Sequence, residues 1–329
     1  MLPRPHPPAY MRLVSTFLAA LILVCYQTSN NIVHAADAAG KATTSNLPTR
    51  LTTLKAATIK HMVFVPGGTF TMGDFGPIHN EEKLPYSSAT DDDVLHKVTL
   101  DSFSISAYKV TYADFDVFTD STGRSRVAQD ELDLEYRDLP GVPAGVNWYD
   151  AQAYCQWLGK QLSLSMDLPT EAQWEYAARN AGKMVVYATD NGKIDNGRNV
   201  PNLEQFYAFD IKESGIRFLP ISKYPPTPLG LYDMATGGNE WVRDWYAPSY
   251  EASPAKNPTG PANGTDKVKR SYASEGGDNL QFTSMTFTRN KAPPKALPPT
   301  KSLLGHRRTD NPNAGDSLRC VANVPKKLN

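Results

Sequence analysis

Short apolar runs alternate with long polar stretches along this 329-residue chain. Met62-Val63-Phe64-Val65 and Thr69-Phe70-Thr71-Met72-Gly73 flank Pro66-Gly67-Gly68. Two β-prone runs around such a break read as strand, turn, strand. His96 to Leu100 and Phe103 to Ile105 read as two further strands. Three segments carry helical signals. Thr111 can cap a helix holding Phe115 and Phe118. Over Trp148 to Lys160, residues Ala151, Tyr154, Cys155 and Leu158 recur on one helix face, which places Cys155 on the apolar side. Thr170-Glu171-Ala172-Gln173 is a capping box, with Trp174, Ala177 and Ala178 as the inward stripe and Gly182 as the expected stop. Residues 74–95 read as an acidic loop, and a lone triplet such as Asp91-Asp92-Asp93 is ordinarily solvated. Beyond Gly182 no long amphipathic period follows. Tyr224-Pro225-Pro226 and the prolines between Pro293 and Pro299 favour extended backbone, and residues 251–300 read as surface loops. No tandem repeat at solenoid spacing is present.

The N-terminus has a different pattern. Arg4 and Arg12 precede an apolar run from Leu13 to Val24, shorter than the roughly 20 residues a membrane-spanning helix needs. Val33-His34-Ala35 suits cleavage before Ala36. The expected organisation is a signal peptide over 1–35, a flexible leader over 36–58 and one domain over 59–325. The product would be periplasmic or secreted, with no stable membrane span once the signal is removed. A retained membrane anchor is one alternative. A lipoprotein on Cys25 is another, disfavoured by the bulky Val24 before it.

Composition narrows the class. Lysine and arginine number 34, as do aspartate and glutamate. A nucleic-acid binder would carry a basic excess, so no nucleic acid is expected as a partner. Loss of Arg4 and Arg12 on cleavage tips the chain slightly acidic. Hydrophobic residues at 40% exclude a wholly disordered chain. The 22 glycines and 26 prolines point to a loop-rich fold. Cleavage would also remove one of three cysteines, leaving Cys155 and Cys320. An even pair in an exported chain is a disulfide candidate; two unrelated buried thiols are the other reading.

Ordered blocks then carry a resemblance. They are Phe64-Val-Pro-Gly-Gly-Thr-Phe-Thr-Met-Gly73, His96-Lys-Val-Thr-Leu-Asp-Ser-Phe103 with Tyr108-Lys-Val-Thr111, and Val146 to Lys160. Leu168-Pro-Thr-Glu-Ala-Gln-Trp-Glu-Tyr-Ala-Ala-Arg179 is the most specific, followed by Pro228 to Met234, Glu240-Trp241, Asp244-Trp245-Tyr246 and Leu318-Arg-Cys320. From about residue 61 to 323 the chain resembles the formylglycine-generating enzyme family, the sulfatase-modifying factor domain. The resemblance implies an α+β fold, a single loop-rich domain related to the C-type lectin fold. It also implies that Cys155 pairs with Cys320.

The family's oxidase converts a substrate cysteine to formylglycine with two cysteines that bind copper as thiolates, a soft ligand set suited to Cu(I). In the family these follow an Arg-Gly-Gly-Ser block. Here that stretch begins at Arg270-Ser271-Tyr272, and no cysteine occurs from Arg270 to Arg319. Copper is therefore not expected, and whether the protein is an enzyme is left open with the balance toward none. Iron-binding branches of the family use histidines. His61, His79, His96 and His306 show no His-x-x-x-His pairing and read as exposed or structural. No Gly-x-Ser-x-Gly elbow, phosphate loop or zinc spacing is present.

For calcium, the resemblance points to Asn239 and Glu240 in the loop Thr236-Gly-Gly-Asn-Glu-Trp241, although the usual asparagine position reads Gly237. Asn199 and Glu213 are candidates for a second site. Calcium in a structural role is the one cofactor the resemblance allows, against a plainer reading in which Asn239 and Glu240 hold loop backbone. Around the former active groove, Trp241, Arg270, Arg289 and Arg307 are candidate binding residues, tryptophan and arginine being common interface anchors. The plainer reading makes Trp241 core and pairs the arginines with acids such as Asp244 and Asp310. Three functions are carried forward. The first is a catalytically degenerate periplasmic protein that binds another protein, as an inhibitor or immunity protein of an exported toxin or hydrolase. The second is a metal-dependent oxidoreductase or modifying enzyme acting on an envelope substrate. The third is a lectin-like glycan or peptide binder.

Overall fold

A computed structural model describes residues 46–209, 219–271, 280–295, 311 and 313–328. The expected signal peptide with Cys25, the first part of the leader, and Glu213, His306, Arg307 and Asp310 lie outside the described residues. The helices are α1 (Leu47–His61), α2 (Gly76–His79), α3 (Tyr112–Thr122), α4 (Glu131–Arg137), α5 (Trp148–Leu162), α6 (Glu171–Ala178), α7 (Leu203–Tyr207) and α8 (Leu280–Thr283). The strands are β1 (Met62–Val65), β2 (Gly68–Met72), β3 (His96–Leu100), β4 (Phe103–Ser106), β5 (Met166–Asp167), β6 (Asn239–Trp245), β7 (Ala255–Lys256), β8 (Lys267–Arg270), β9 (Asn290–Ala292), β10 (Asp316–Ser317) and β11 (Val321–Ala322). They form three small sheets, ordered β1-β4-β11-β5, β10-β6-β8-β9 and β2-β3-β7. The mixture is the α+β class expected. Among the described residues no helix is long and apolar enough to cross a membrane.

The capping signals work as read. Thr111 and Thr170 each accept from the backbone N–H three residues on, and Asp114 and Gln173 reach back to close the box. Asn147 caps α5 through the N–H of Asp150. On α5, Ala151, Tyr154, Cys155 and Leu158 are buried, as the period predicts. Cys155 is bonded to Cys320, with Cα atoms 5.5 Å apart, and so ties α5 to the residue just before β11 in the middle of its sheet.

Two expectations are corrected. The leader expected over 36–58 gives way to helix α1 from Leu47 onward. Leu47, Leu51 and Leu54 stand at i, i+4 and i+7 and pack on the core, while Arg50 pairs with Asp120 of α3 at 2.6 Å. The period is masked by the proline, threonines and arginine between the leucines and by Lys55-Ala56-Ala57 after them. Residues 251–300 are not all surface loop either. They contribute β7, β8 and β9, and β8 is an inner strand whose Val268 and Arg270 are fully buried. The run Lys267-Val-Lys-Arg270 looks solvated because three of its four side chains are cationic. The fold buries Lys267 and Arg270 and half-buries Lys269 through partners: Lys267 Nζ lies 3.8 Å from the ring centres of both Trp148 and Trp245.

Candidate functional site

The blocks that carry the resemblance converge on two buried charge clusters. The first is built on α6. Its capping box fixes where the helix starts, and Glu171 and Glu175, one turn apart, then face the same way. Arg270 at the end of β8 reaches both, Nη1 to Glu171 Oε1 at 2.9 Å and Nη2 to Glu175 Oε2 at 2.8 Å. Arg289 takes the rest of Glu171, with Nε 2.7 Å from Oε1 and Nη2 3.1 Å from Oε2. Arg179 donates to Glu175 Oε1 at 2.9 Å, and Tyr250 donates its hydroxyl to Glu171 Oε1 at 3.0 Å. All these charged groups are buried. Burial pushes the Glu171 carboxyl upward, but Arg289 and Arg270 outweigh it, and the net shift is downward.

The second cluster centres on Glu240 in β6. Arg319 clasps it in a two-pronged pair, Nε to Oε2 at 2.6 Å and Nη2 to Oε1 at 2.8 Å. Trp174 of α6 donates Nε1–H to Oε2 at 2.9 Å, which joins the two clusters through one indole. Lys109 Nζ lies 3.8 Å from Oε1. Burial lowers the Lys109 pKa to about 8 even though Glu240 pulls it up.

The candidate binding residues therefore come together only in part. Trp241 is core, its Nε1–H donated to the carbonyl of Val146 at 2.7 Å. Arg270 and Arg289 do meet, around Glu171, but neither offers a free guanidinium to an open groove. Their carboxylate partners are Glu171 and Glu175 rather than Asp244. The reason lies in α6: its cap and helical spacing aim both glutamates at β8, whereas Asp244 is occupied by the backbone N–H of Glu171 at 2.9 Å. Arg307 lies outside the described residues.

Two features escaped the sequence reading. Asp92, read as part of a solvated triplet, is fully buried, and neither of its carboxylate oxygens has a hydrogen-bond partner. Burial, then the nearby Asp91 and Asp74, push its pKa up to about 7. Nothing local marks it, because its burial depends on the chain folding over residues 74–95. The second is a cleft of about 310 Å³ lined by Gln129, Asp130, Asp133, Asn147, Asn311 and Asn313, among others. Its amides come from three separate loops, and only Asn147, as a helix cap, carried a recognisable signal.

The pattern of known proteins decides the lineage. A model of the sulfatase-modifying factor enzyme 1-like domain matches residues 48–303. The chain belongs to this family. It is 29% identical to the formylglycine-generating enzyme of Bos taurus, with 64% of each chain covered. It thus spans just under two thirds of that relative's length. It is 31% identical to the inactive C-alpha-formylglycine-generating enzyme 2 of Bos taurus, over 59% of this chain and 72% of that one. Among solved structures, PvdO from Pseudomonas aeruginosa superposes with a TM-score of 0.57 at 25% identity, covering 80% of this chain and 94% of that one.

The calcium positions that family membership implies do not fit this chain. Both oxygens of Glu240 are engaged by Arg319, with Trp174 and Lys109 completing the surround, so a dication would have to displace buried cations. Asn239 spends its amide on Asp316 at 3.1 Å and Asn290 at 3.4 Å. Asn199 directs its Nδ2, not its oxygen, at Asp190 Oδ1, Asn191 Oδ1 and the carbonyl of Lys193. Its oxygen accepts from the N–H of Asp195, and Arg198 pairs with both Asp190 and Asp195. Glu213 lies outside the described residues. Among the described residues no three His, Cys, Asp or Glu side chains are grouped to hold a metal ion.

Proposed function

We propose that this protein is a non-catalytic member of the family that acts in the bacterial envelope by binding another protein, as an inhibitor or immunity protein of an exported toxin or hydrolase. The observation that carries the reading is the contrast between a retained scaffold and a lost reagent. α6, β6, β8 and the Cys155–Cys320 bridge are all in place, yet the stretch from Arg270 to Arg319 holds no cysteine. Copper thiolate chemistry needs soft ligands that this stretch lacks. Among the described residues, Glu171, Glu175 and Glu240 are each taken up by buried arginines. A relative whose name declares it inactive supports the same direction.

Export is supported by the bridge, which persists in oxidising compartments, and by the short apolar run after Arg12. Binding is supported by a loop-rich surface held on a rigid core, where recognition residues concentrate. The amide-lined cleft offers donors and acceptors suited to polypeptide backbone.

The test is capture from an envelope extract with tagged protein, followed by mass spectrometry and reconstitution with the purified candidate. A stoichiometric complex weakened by Asn147→Ala or Gln129→Ala is the expected result. The counter-test loads the protein with Cu(I) and offers cysteine peptides under oxygen. Formation of an aldehyde product would sink the reading.

A further inference from the structure

Lys109 sits just before the Thr111 cap, and its side chain runs into the loop from Thr236 to Glu240. Its ammonium is fully buried. Nζ donates to the carbonyl of Thr236 at 2.7 Å and to that of Gly238 at 2.6 Å, and Glu240 Oε1 lies 3.8 Å away. The half-buried Asp233 acts on it as a further negative charge. Gly237 turns the loop through a left-handed conformation, φ +71°, and a Cβ there would stand 3.8 Å from Nζ. Two backbone carbonyls and a carboxylate around one positive atom make the donor set of a hard cation.

We propose that the Lys109 ammonium is the resident cation of this loop, standing where the family resemblance expects calcium and making the loop independent of it. A buried ammonium needs acceptors on its N–H groups and a counter-charge, and the loop supplies both. A dication cannot enter while the ammonium is there, because the two would share the same carbonyls. The loop's cation is thus covalently attached and cannot be lost to a chelator or a calcium-poor compartment. This goes beyond the proposed binding role and does not depend on it.

The experiment uses the purified chain with Ca²⁺, with EDTA, and with Tb³⁺ as a luminescent probe. Trp174 contacts Glu240 directly, so Tb³⁺ held in this loop would be sensitised by that indole. Lys109→Ala opens the cage, and Lys109→Met keeps the stem while removing the charge. Lys109→Ala is expected to lose thermal stability in EDTA and to regain about 5 °C with millimolar Ca²⁺, beyond any shift of the wild type. It should also gain Tb³⁺ luminescence that Ca²⁺ competes away. Lys109→Met is expected to melt lower than the wild type without calcium rescue, and this comparison serves even if Lys109→Ala fails to fold. Two results would overturn the proposal. One is saturable, Ca²⁺-competed Tb³⁺ luminescence in the wild type that Lys109→Ala does not increase. The other is a Lys109→Met protein that melts within 1 °C of the wild type, since an ammonium that can be deleted freely is not holding the loop.

Discussion

Around α1, α3 and α5 the core is mostly rings and aliphatic chains, with the buried Asp116–Arg137 pair beside them: Phe115 stacks on Tyr154 at 5.5 Å, Phe118 meets Tyr154 edge-on at 5.8 Å, and the Cys155–Cys320 bridge closes the group. Around α6, β6 and β8 the same depth of burial is filled by Glu171, Glu175, Glu240, Arg179, Arg270, Arg289, Arg319 and Lys109. The first region is held by apolar area, which is additive and tolerant of a changed partner. The second is held by pairing, in which each charge is acceptable only because its partner is present. The difference teaches where this domain is robust and where it is brittle. A family can vary an aromatic core by small steps, but a buried ionic core changes only by coordinated replacement.

Removing one partner in the ionic region is therefore the largest effect expected. Glu171→Gln leaves Arg270 and Arg289 buried with their shared carboxylate gone, a loss of about 3–5 kcal/mol in urea denaturation. A cost below about 1 kcal/mol would mean that water reaches the cluster and that the contrast between the regions is false. Next comes the bridge in the apolar region. Replacing Cys155 and Cys320 together by alanine is expected to cost about 3 kcal/mol, chiefly by freeing the unfolded chain across 165 residues. The aromatic packing around it should survive, so near-ultraviolet circular dichroism of the folded variant should keep its native shape.

A smaller effect depends on pH. Asp92 and Asp244 both have folded pKa values raised to about 7, in each case first by burial, with neighbouring acids adding. Between the ordinary carboxylate range and pH 7 the folded protein thus binds protons that the unfolded chain has released. The stability this contributes is complete at low pH and is lost as pH rises through 7. Asp92→Asn, which cannot ionise, is expected to flatten the decline between pH 5 and pH 8 and to be more stable than the wild type at pH 8 by about 1–3 kcal/mol. Parallel stability–pH curves for the two proteins would show that Asp92 is not a buried ionisable group in solution.

The two regions also differ in how far they could be read from residues alone. Cys155 and Leu158 declare themselves by helical period, and Thr111 and Thr170 by chemistry within four residues, because the forces involved are local or periodic. β8 does not, since its Arg270 is buried through Glu171 and Glu175, 99 and 95 residues earlier in the chain. The same holds for Arg289, whose partner Glu171 is 118 residues away. Asp92 reads as a solvated acid because it sits in an acidic triplet, but the fold buries it fully. α1 failed for a different reason. Its three leucines keep the period, but its polar residues resemble the leader before it. The amide cleft left almost no trace, as its side chains converge from loops with no shared spacing.

The smallest effect bears on the junction between local and long-range order. Thr170 and Thr111 cap their helices with the same reciprocal geometry, so alanine at either is expected to cost about 1 kcal/mol. The difference should appear in combination. The Thr170 cap fixes the first turn of α6, from which Glu171 reaches Arg270 and Arg289, whereas Thr111 begins a helix in the aromatic region. Thr170→Ala combined with Glu171→Gln is therefore expected to depart from additivity by more than about 0.5 kcal/mol, while Thr111→Ala combined with Glu171→Gln should add. Coupling in the first pair alone would make the local capping signal part of what aims the buried charges. Equal additivity in both pairs would mean that the ion pairs set the position of α6 without help from its cap.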